Sequence, residues 1–148
     1  MINILLFMKK SVLLLFAVFS VLSCTKDSFN NSNPYLPNYG FSTTLNLSLP
    51  QYNTLLYPAN AVYVFTGSEG VRGIFVFNTG SGYVAFDAAC PNQELSSCST
   101  MSLDGIKAIC PCDDAEYSLF TGQSQGKEYP MKQYRVEVLD QYSLRVYN

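Results

Sequence analysis

From residue 41 onward, no stretch of ten or more residues places apolar side chains at the 3.6-residue spacing of an amphipathic helix. Period-two alternation and short apolar runs take its place, each cut by turn residues, which is the signature of strands. Leu45, Leu47 and Leu49 alternate with polar residues, and residues 61–66 and 72–78 are β-rich runs joined by Gly67-Ser68-Glu69-Gly70. Asn78-Thr79-Gly80-Ser81-Gly82 turns the chain into residues 83–87. Asp104-Gly105 lies between short runs at residues 101–102 and 106–109 and predicts a two-residue hairpin loop with positive φ at both positions. Residues 117–120, 134–139 and 144–147 complete the series. The pattern predicts an all-β fold, an antiparallel sandwich or partly open barrel, with cysteine-bearing loops at residues 90–98 and 110–114.

The first 23 residues stand apart from this pattern. Lys9 and Lys10 precede a thirteen-residue apolar run over residues 11–23, which has the charged and apolar regions of a secretory signal. A spanning helix needs about 20 residues, so the run is short for one. Val21-Leu22-Ser23-Cys24 resembles the lipobox of bacterial lipoproteins. The resemblance implies cleavage before Cys24, a lipid on its sulfur, attachment to a membrane through that lipid, and residence in the bacterial cell envelope. Met8, directly before the two lysines, is the expected translation start. Three segments follow: a signal peptide over 1–23, a lipidated cysteine and flexible tether over 24–40, and a β domain over 41–148. Within the tether, which is rich in Asn, Ser and Pro, Tyr35 and Leu36 between Pro34 and Pro37 are candidates to dock on the domain.

Composition removes several chemistries. Among the 148 residues there is no histidine, which excludes a Ser-His-Asp triad, a Cys-His pair, an imidazole-ligated zinc ion and a histidine pH switch from this chain alone. Nine basic and eleven acidic residues are scattered along it, giving a net charge of -2, or -4 without Lys9 and Lys10. No basic stripe exists to neutralise phosphates, so nucleic acid is not expected as a partner. No carboxylate pair is marked as catalytic by its neighbourhood, no Gly-rich phosphate loop is present, and no residue is singled out as catalytic. The eleven tyrosines suit half-buried strand positions.

Beyond Cys24 there are four cysteines, Cys90, Cys98, Cys110 and Cys112. In an exported chain an even number favours disulfides, and four cysteines allow three pairings among which spacing does not choose. They lie in Cys90-Pro91-Asn92 and Cys110-Pro111-Cys112-Asp113, with seventeen residues between Asn92 and Cys110. This resembles the ligand pattern of the Rieske [2Fe-2S] family, Cys-x-His, about seventeen residues, Cys-x-x-His, with both histidines replaced, by Asn92 and Asp113. The resemblance continues through residues 85–91 entering the first loop, through Tyr117 and Phe120-Thr121-Gly122 after the second, and through the closing hairpin over residues 130–138 and 144–146.

The resemblance implies a Rieske-like fold, with Cys90, Asn92, Cys110 and Asp113 at the positions that hold the cluster in the family. Asn offers a neutral amide and Asp a hard oxygen, so a His-ligated cluster has no ligands here. Asp114 and Ala115 replace the Gly and Ser that follow the second histidine in the quinol-oxidising members. Cys98 and Cys112 correspond to the cysteines that in those members form a disulfide between the loops, and a Cys98–Cys112 bridge is implied. Without metal, Cys90 and Cys110 can bond to each other.

The expectation is therefore a cofactor-free, disulfide-stabilised binding or structural module with an envelope protein as partner. The alternative is a [2Fe-2S] electron carrier or oxidoreductase subunit with non-histidine ligation, using Cys90, Cys110, Asp113 and a further ligand, or all four cysteines. A zinc site is disfavoured by the one-residue Cys110–Cys112 spacing. A thiol redox role is disfavoured because Asp113 and Asp114, rather than a cation, adjoin Cys112.

Overall fold

The structure is a computed structural model describing residues 31–148. Residues 1–23, read above as a signal peptide, with Met8 among them, and Cys24 lie outside the described residues. Nine strands run in chain order: β1 (Ser42–Asn46), β2 (Ala61–Val64), β3 (Ile74–Asn78), β4 (Tyr83–Asp87), β5 (Ser102–Asp104), β6 (Lys107–Ile109), β7 (Glu116–Ser118), β8 (Gln133–Asp140) and β9 (Ser143–Tyr147). The helical content among the described residues is one 3-10 turn, Asn53–Leu56. No helix there is long and apolar enough to cross a membrane.

Six strands form one antiparallel sheet in the order β1-β9-β8-β4-β3-β2, and β5-β6-β7 form a second. The larger sheet curls into a half-barrel because β8 changes neighbours along its length. Gln133 and Tyr134 pair with β4, whereas residues from Arg135 onward pair with β9. The curled sheet and the small sheet that carries the second cysteine loop make a Rieske-like all-β fold.

β3 explains where the core sits. All five of its residues, Ile-Phe-Val-Phe-Asn, are buried, and successive side chains point to opposite faces. Phe75 and Phe77 pack with Phe86, Tyr117, Leu119 and the Cys90 and Cys110 sulfurs toward the small sheet. Ile74 and Val76 pack with Leu45, Leu55, Tyr134 and Leu144 inside the half-barrel. Burying each large apolar side chain contributes about 1.5–3 kcal/mol. The two cysteine loops thus rest directly on the first of these two core clusters.

Two local expectations are corrected. The alternation over Leu45, Leu47 and Leu49 ends early: Leu45 and Leu47 are buried, but β1 stops at Asn46 and Leu49 is exposed. Asn46 turns the chain, its Oδ1 accepting the Ser48 N–H at 2.9 Å and its carbonyl the Leu49 N–H at 3.1 Å. The β5–β6 hairpin exists, but Asp104 pairs with Lys107, so the loop is Gly105-Ile106, and of these only Gly105 has positive φ (58°). Asp104 is the last residue of its strand and needs no left-handed backbone.

Gly122, after the second cysteine loop, is required by both space and conformation. Its φ is 71°, and a Cβ there would stand 2.7 Å from Phe86 Cε1. Of the stretch read as a tether, residues 31–40 are described. Leu36 is buried, the Tyr35 ring meets Tyr129 edge-on at 6.0 Å, and Asn31 exchanges two hydrogen bonds with the Gln133 backbone, at 2.7 and 3.0 Å. Asn33 Nδ2 donates to the Pro91 carbonyl at 2.7 Å, which brings this segment against the first cysteine loop.

Candidate functional site

β4 runs into Ala88 and Ala89 and then into Cys90, the first residue of a loop that leads across to the small sheet. Its base is closed by the backbone: Cys90 N–H donates to the Ser99 carbonyl at 2.8 Å and Met101 N–H to the Ala88 carbonyl at 2.7 Å. The second loop caps the β6–β7 hairpin. There Cys110 N–H donates to the Ala115 carbonyl and Asp114 N–H to the Cys110 carbonyl, both at 2.9 Å, and Asp114 takes a left-handed φ of 55° to close the turn.

The loops are joined by two disulfides. Cys90–Cys110 spans 5.6 Å between Cα atoms and is buried at its core end, each residue about 1% exposed. Cys98–Cys112 spans 5.2 Å between Cα atoms and lies outward, with Cys98 exposed and Cys112 half-buried. The Sγ atoms of Cys90, Cys110 and Cys112 all lie within 4.8 Å of one another.

Asn92 and Asp113, which the sequence resemblance sets where the Rieske family has histidines, are both engaged by the protein. Asn92 Nδ2 donates to Tyr117 Oη at 2.9 Å and to the Tyr129 carbonyl at 2.7 Å, while its Oδ1 accepts the Tyr129 N–H at 2.9 Å. The side chain ties the first loop to β7 and to the segment before β8. Asp113 Oδ2 pairs with Lys127 Nζ at 2.5 Å, and its Oδ1 accepts the Ala115 N–H at 3.2 Å. Burial opposes ionisation of this carboxyl, but the Lys127 ammonium and the Ala115 N–H outweigh it and hold Asp113 below the usual carboxylate range. Burial pushes the Tyr117 hydroxyl up despite its hydrogen bond from Asn92.

A Rieske centre requires two thiolates on one iron and two imidazoles on the other. Here the sulfurs are paired with each other, the Asn92 amide is used as both donor and acceptor, and the Asp113 carboxylate faces Lys127. The residues present do not fit the cluster. What they build is a cross-linked pair of loops in which Asn92 and Asp113 act as struts.

The four cysteines meet in two bridges, Cys90–Cys110 and Cys98–Cys112, and Asn92 and Asp113 lie one on each of the two loops so joined. Their partners were not foreseen. Tyr117, read as a packing residue, is buried and also accepts from Asn92, and Tyr129, Lys127 and Gln93 carry no signal in the sequence. Gln93 Nε2 donates to Cys110 Sγ at 3.5 Å.

No family model matches the chain, and no curated protein matches it. Solved structures that resemble it include a protein assigned as the small subunit of an NADH-dependent nitrite reductase from Mycobacterium tuberculosis. It is 17% identical with a TM-score of 0.45, and the match covers 75% of this chain and 97% of that one. A chain from the complex of reduced oxygenase and oxidized ferredoxin in carbazole 1,9a-dioxygenase is 18% identical, with a TM-score of 0.46, over 75% of this chain and 94% of that one. The ferredoxin of carbazole 1,9a-dioxygenase from Nocardioides aromaticivorans IC177 is 16% identical, with a TM-score of 0.43, over 74% of this chain and 97% of that one.

Proposed function

We propose that this chain is a lipoprotein of the bacterial cell envelope, anchored through Cys24, whose Rieske-like domain holds no cluster and serves as a disulfide-stabilised binding or structural module for another envelope protein. The observation that carries this reading is the use of Asn92 and Asp113, which the resemblance sets at ligand positions, as struts. Asn92 is saturated by Tyr117 and Tyr129, Asp113 by Lys127 and Ala115, and all four loop sulfurs are in bridges. The anchor and the compartment rest on residues 9–24 of the sequence and on the stability of such bridges in an oxidising compartment.

The test is an ultraviolet-visible spectrum with iron and zinc analysis on the full chain, extracted in detergent from membranes of a bacterium fed labelled palmitate. A colourless, metal-free chain that carries the label, and loses it in Cys24→Ser, is the expected result. A brown chain with about two irons would assign the electron-carrier reading with non-histidine ligation, which the clustering of the Cys90, Cys110 and Cys112 sulfurs favours. An unlabelled chain would remove the anchor from the proposal.

A further inference from the structure

The two bridges differ in exposure and share a neighbourhood. Cys98 is exposed and Cys112 half-buried, whereas Cys90 and Cys110 are each about 1% exposed. Cys112 Sγ belongs to the outer bridge, yet it lies within 4.8 Å of both sulfurs of the inner one. Cys112 is therefore positioned to pass an exchange reaction from the surface to the core.

We propose that the loop pair is a thiol–disulfide exchange site in which the outer bridge relays attack by an external thiol to the inner bridge. This proposal rests on the cluster-free reading. An external thiolate, from a small thiol or a protein thiol, attacks Cys98 Sγ. The new bond is a mixed disulfide on Cys98, the Cys98–Cys112 bond breaks, and Cys112 leaves as a thiolate. Cys112 then attacks Cys90 Sγ, forming a Cys90–Cys112 bond, breaking Cys90–Cys110 and releasing Cys110 as a thiolate that takes a proton from solvent. One thiol is consumed and one is released, and the chain keeps a bridge between its loops. With a dithiol, the second thiol displaces Cys98. The reagent leaves as its own disulfide, and Cys98 and Cys110 remain as thiols.

Each choice in that sequence has a structural reason. Cys98 is the exposed sulfur of the outer bridge and Cys112 the half-buried one, so access from solvent directs attack to Cys98. Ser96 Oγ lies 3.2 Å from Cys98 Sγ and 3.8 Å from Cys112 Sγ, and Ser99 Oγ lies 4.0 Å from Cys112 Sγ. Bridged sulfurs carry no proton, so in such a bond the hydroxyl is the donor; the Ser99 hydroxyl donates to the Glu94 carbonyl at 3.4 Å, and Ser96 Oγ, near both outer sulfurs, is in place to donate to a thiolate on Cys112. At the second step the leaving sulfur is Cys110, which already accepts the Gln93 Nε2–H at 3.5 Å. Attack on Cys110 itself would close a bond across Pro111 and leave the two loops without a cross-link. Attack on Cys90 retains one, together with the constraint it places on the unfolded chain.

The test uses the oxidised full chain in detergent, with glutathione added in steps, acid quenching, alkylation of free thiols and peptide mapping. The expected product has Cys98 carrying glutathione, Cys110 alkylated and Cys90 linked to Cys112, with matching loss of the Cys90–Cys110 peptide. A product with Cys90–Cys110 intact and Cys112 alkylated overturns the relay, as do a Cys110–Cys112 bond and a native chain that reacts at neither bridge. Thiol counting and iron analysis before glutathione is added separate the two readings. Iron, or free thiols at Cys90 and Cys110, would sink the cluster-free reading and the relay with it, whereas intact bridges followed by a wrong product sink the relay alone. Cys98→Ser gives a second readout, because Cys112 is then a thiol from the start. Cys90–Cys112 linked chains should form without added thiol, and Gln93→Leu in that background should slow their formation.

Discussion

Asn92 Nδ2 donates to the Tyr117 hydroxyl at 2.9 Å, across the gap between the first cysteine loop and β7. The same amide group spans to the Tyr129 backbone with two further hydrogen bonds. The Asn92 side chain is a three-point strut, and the energetics follow from the partners its loss would strand. Asn92→Ala leaves Tyr117 Oη, the Tyr129 N–H and the Tyr129 carbonyl without their partner in a half-buried setting. The expected loss is about 2 kcal/mol, read from urea unfolding of the oxidised protein. An unchanged midpoint would mean that solvent replaces all three bonds.

The outer bridge closes a loop over a sequence separation of 14 and the inner one over 20. In the chain-entropy account each contributes about 3 kcal/mol by restricting the unfolded chain. The double substitution Cys98→Ser and Cys112→Ser is expected to lower unfolding free energy by that amount while Cys90–Cys110 remains. It leaves the buried core contacts of Cys90 and Cys110 in place, so the slope of the denaturation curve should change only as the unfolded chain expands.

Two buried carboxylates titrate in opposite senses. Burial opposes ionisation of Glu69, but the Thr66 hydroxyl, at 2.5 Å, and the Thr66 and Ser68 N–H groups outweigh it and lower its carboxyl from 4.5 to about 2. Its contribution is full above 4.5 and is lost as pH falls toward 2. Asp87 is held by Tyr134 Oη and the Val71 N–H, both at 2.6 Å, yet burial dominates and pushes its carboxyl up. A raised acid binds protons more readily folded than unfolded, so its contribution falls as pH rises through that range. Glu69→Gln should therefore cost about 2 kcal/mol at neutral pH and progressively less on acidification. The difference between the native chain and Asp87→Asn should instead narrow as pH rises. Urea midpoints collected across acid and neutral pH read both slopes, and parallel curves for either variant would contradict its assignment.

Most strands were legible in the sequence because they bury alternate residues or sit wholly in the core, and both arrangements leave a local imprint; β8, whose Val138 and Leu139 are exposed, follows neither past Val136. β3 is an unbroken apolar run because the sheet is covered on both faces there, and β4 begins and ends where its turn residues place it. The hairpin loop slipped by one residue because Asp104 and Gly105 are both turn formers, and only the pairing of Asp104 with Lys107 decides which of them is the strand end. In the site, the cysteine segments were legible from spacing and resemblance. The partners of Asn92 stand 25 and 37 residues away, and Lys127 stands 14 residues from Asp113. Such contacts arise from tertiary packing and leave no pattern in sequence.

Lys132 shows the same limit at a buried charge. It is 2% exposed, and its ammonium donates to the Pro37 carbonyl at 3.0 Å and to Asn38 Oδ1 at 2.9 Å, so it fastens the segment before β1 to the start of β8. Burial lowers its pKa, with the Asp87 charge opposing that shift. Lys132→Met keeps the apolar stem and removes the ammonium, which takes away a desolvation cost together with two hydrogen bonds. The midpoint of global unfolding should therefore change little, whereas local opening of residues 31–40 should become easier. Losing one net hydrogen bond, about 1.4 kcal/mol, corresponds to roughly tenfold more of the open segment. Cleavage after Tyr35 or Tyr39 by a protease selective for aromatic residues should accelerate by that factor while the core strands stay intact. Equal cleavage rates in the two proteins would place the strength of this attachment elsewhere, in Leu36 and the Asn31–Gln133 pair.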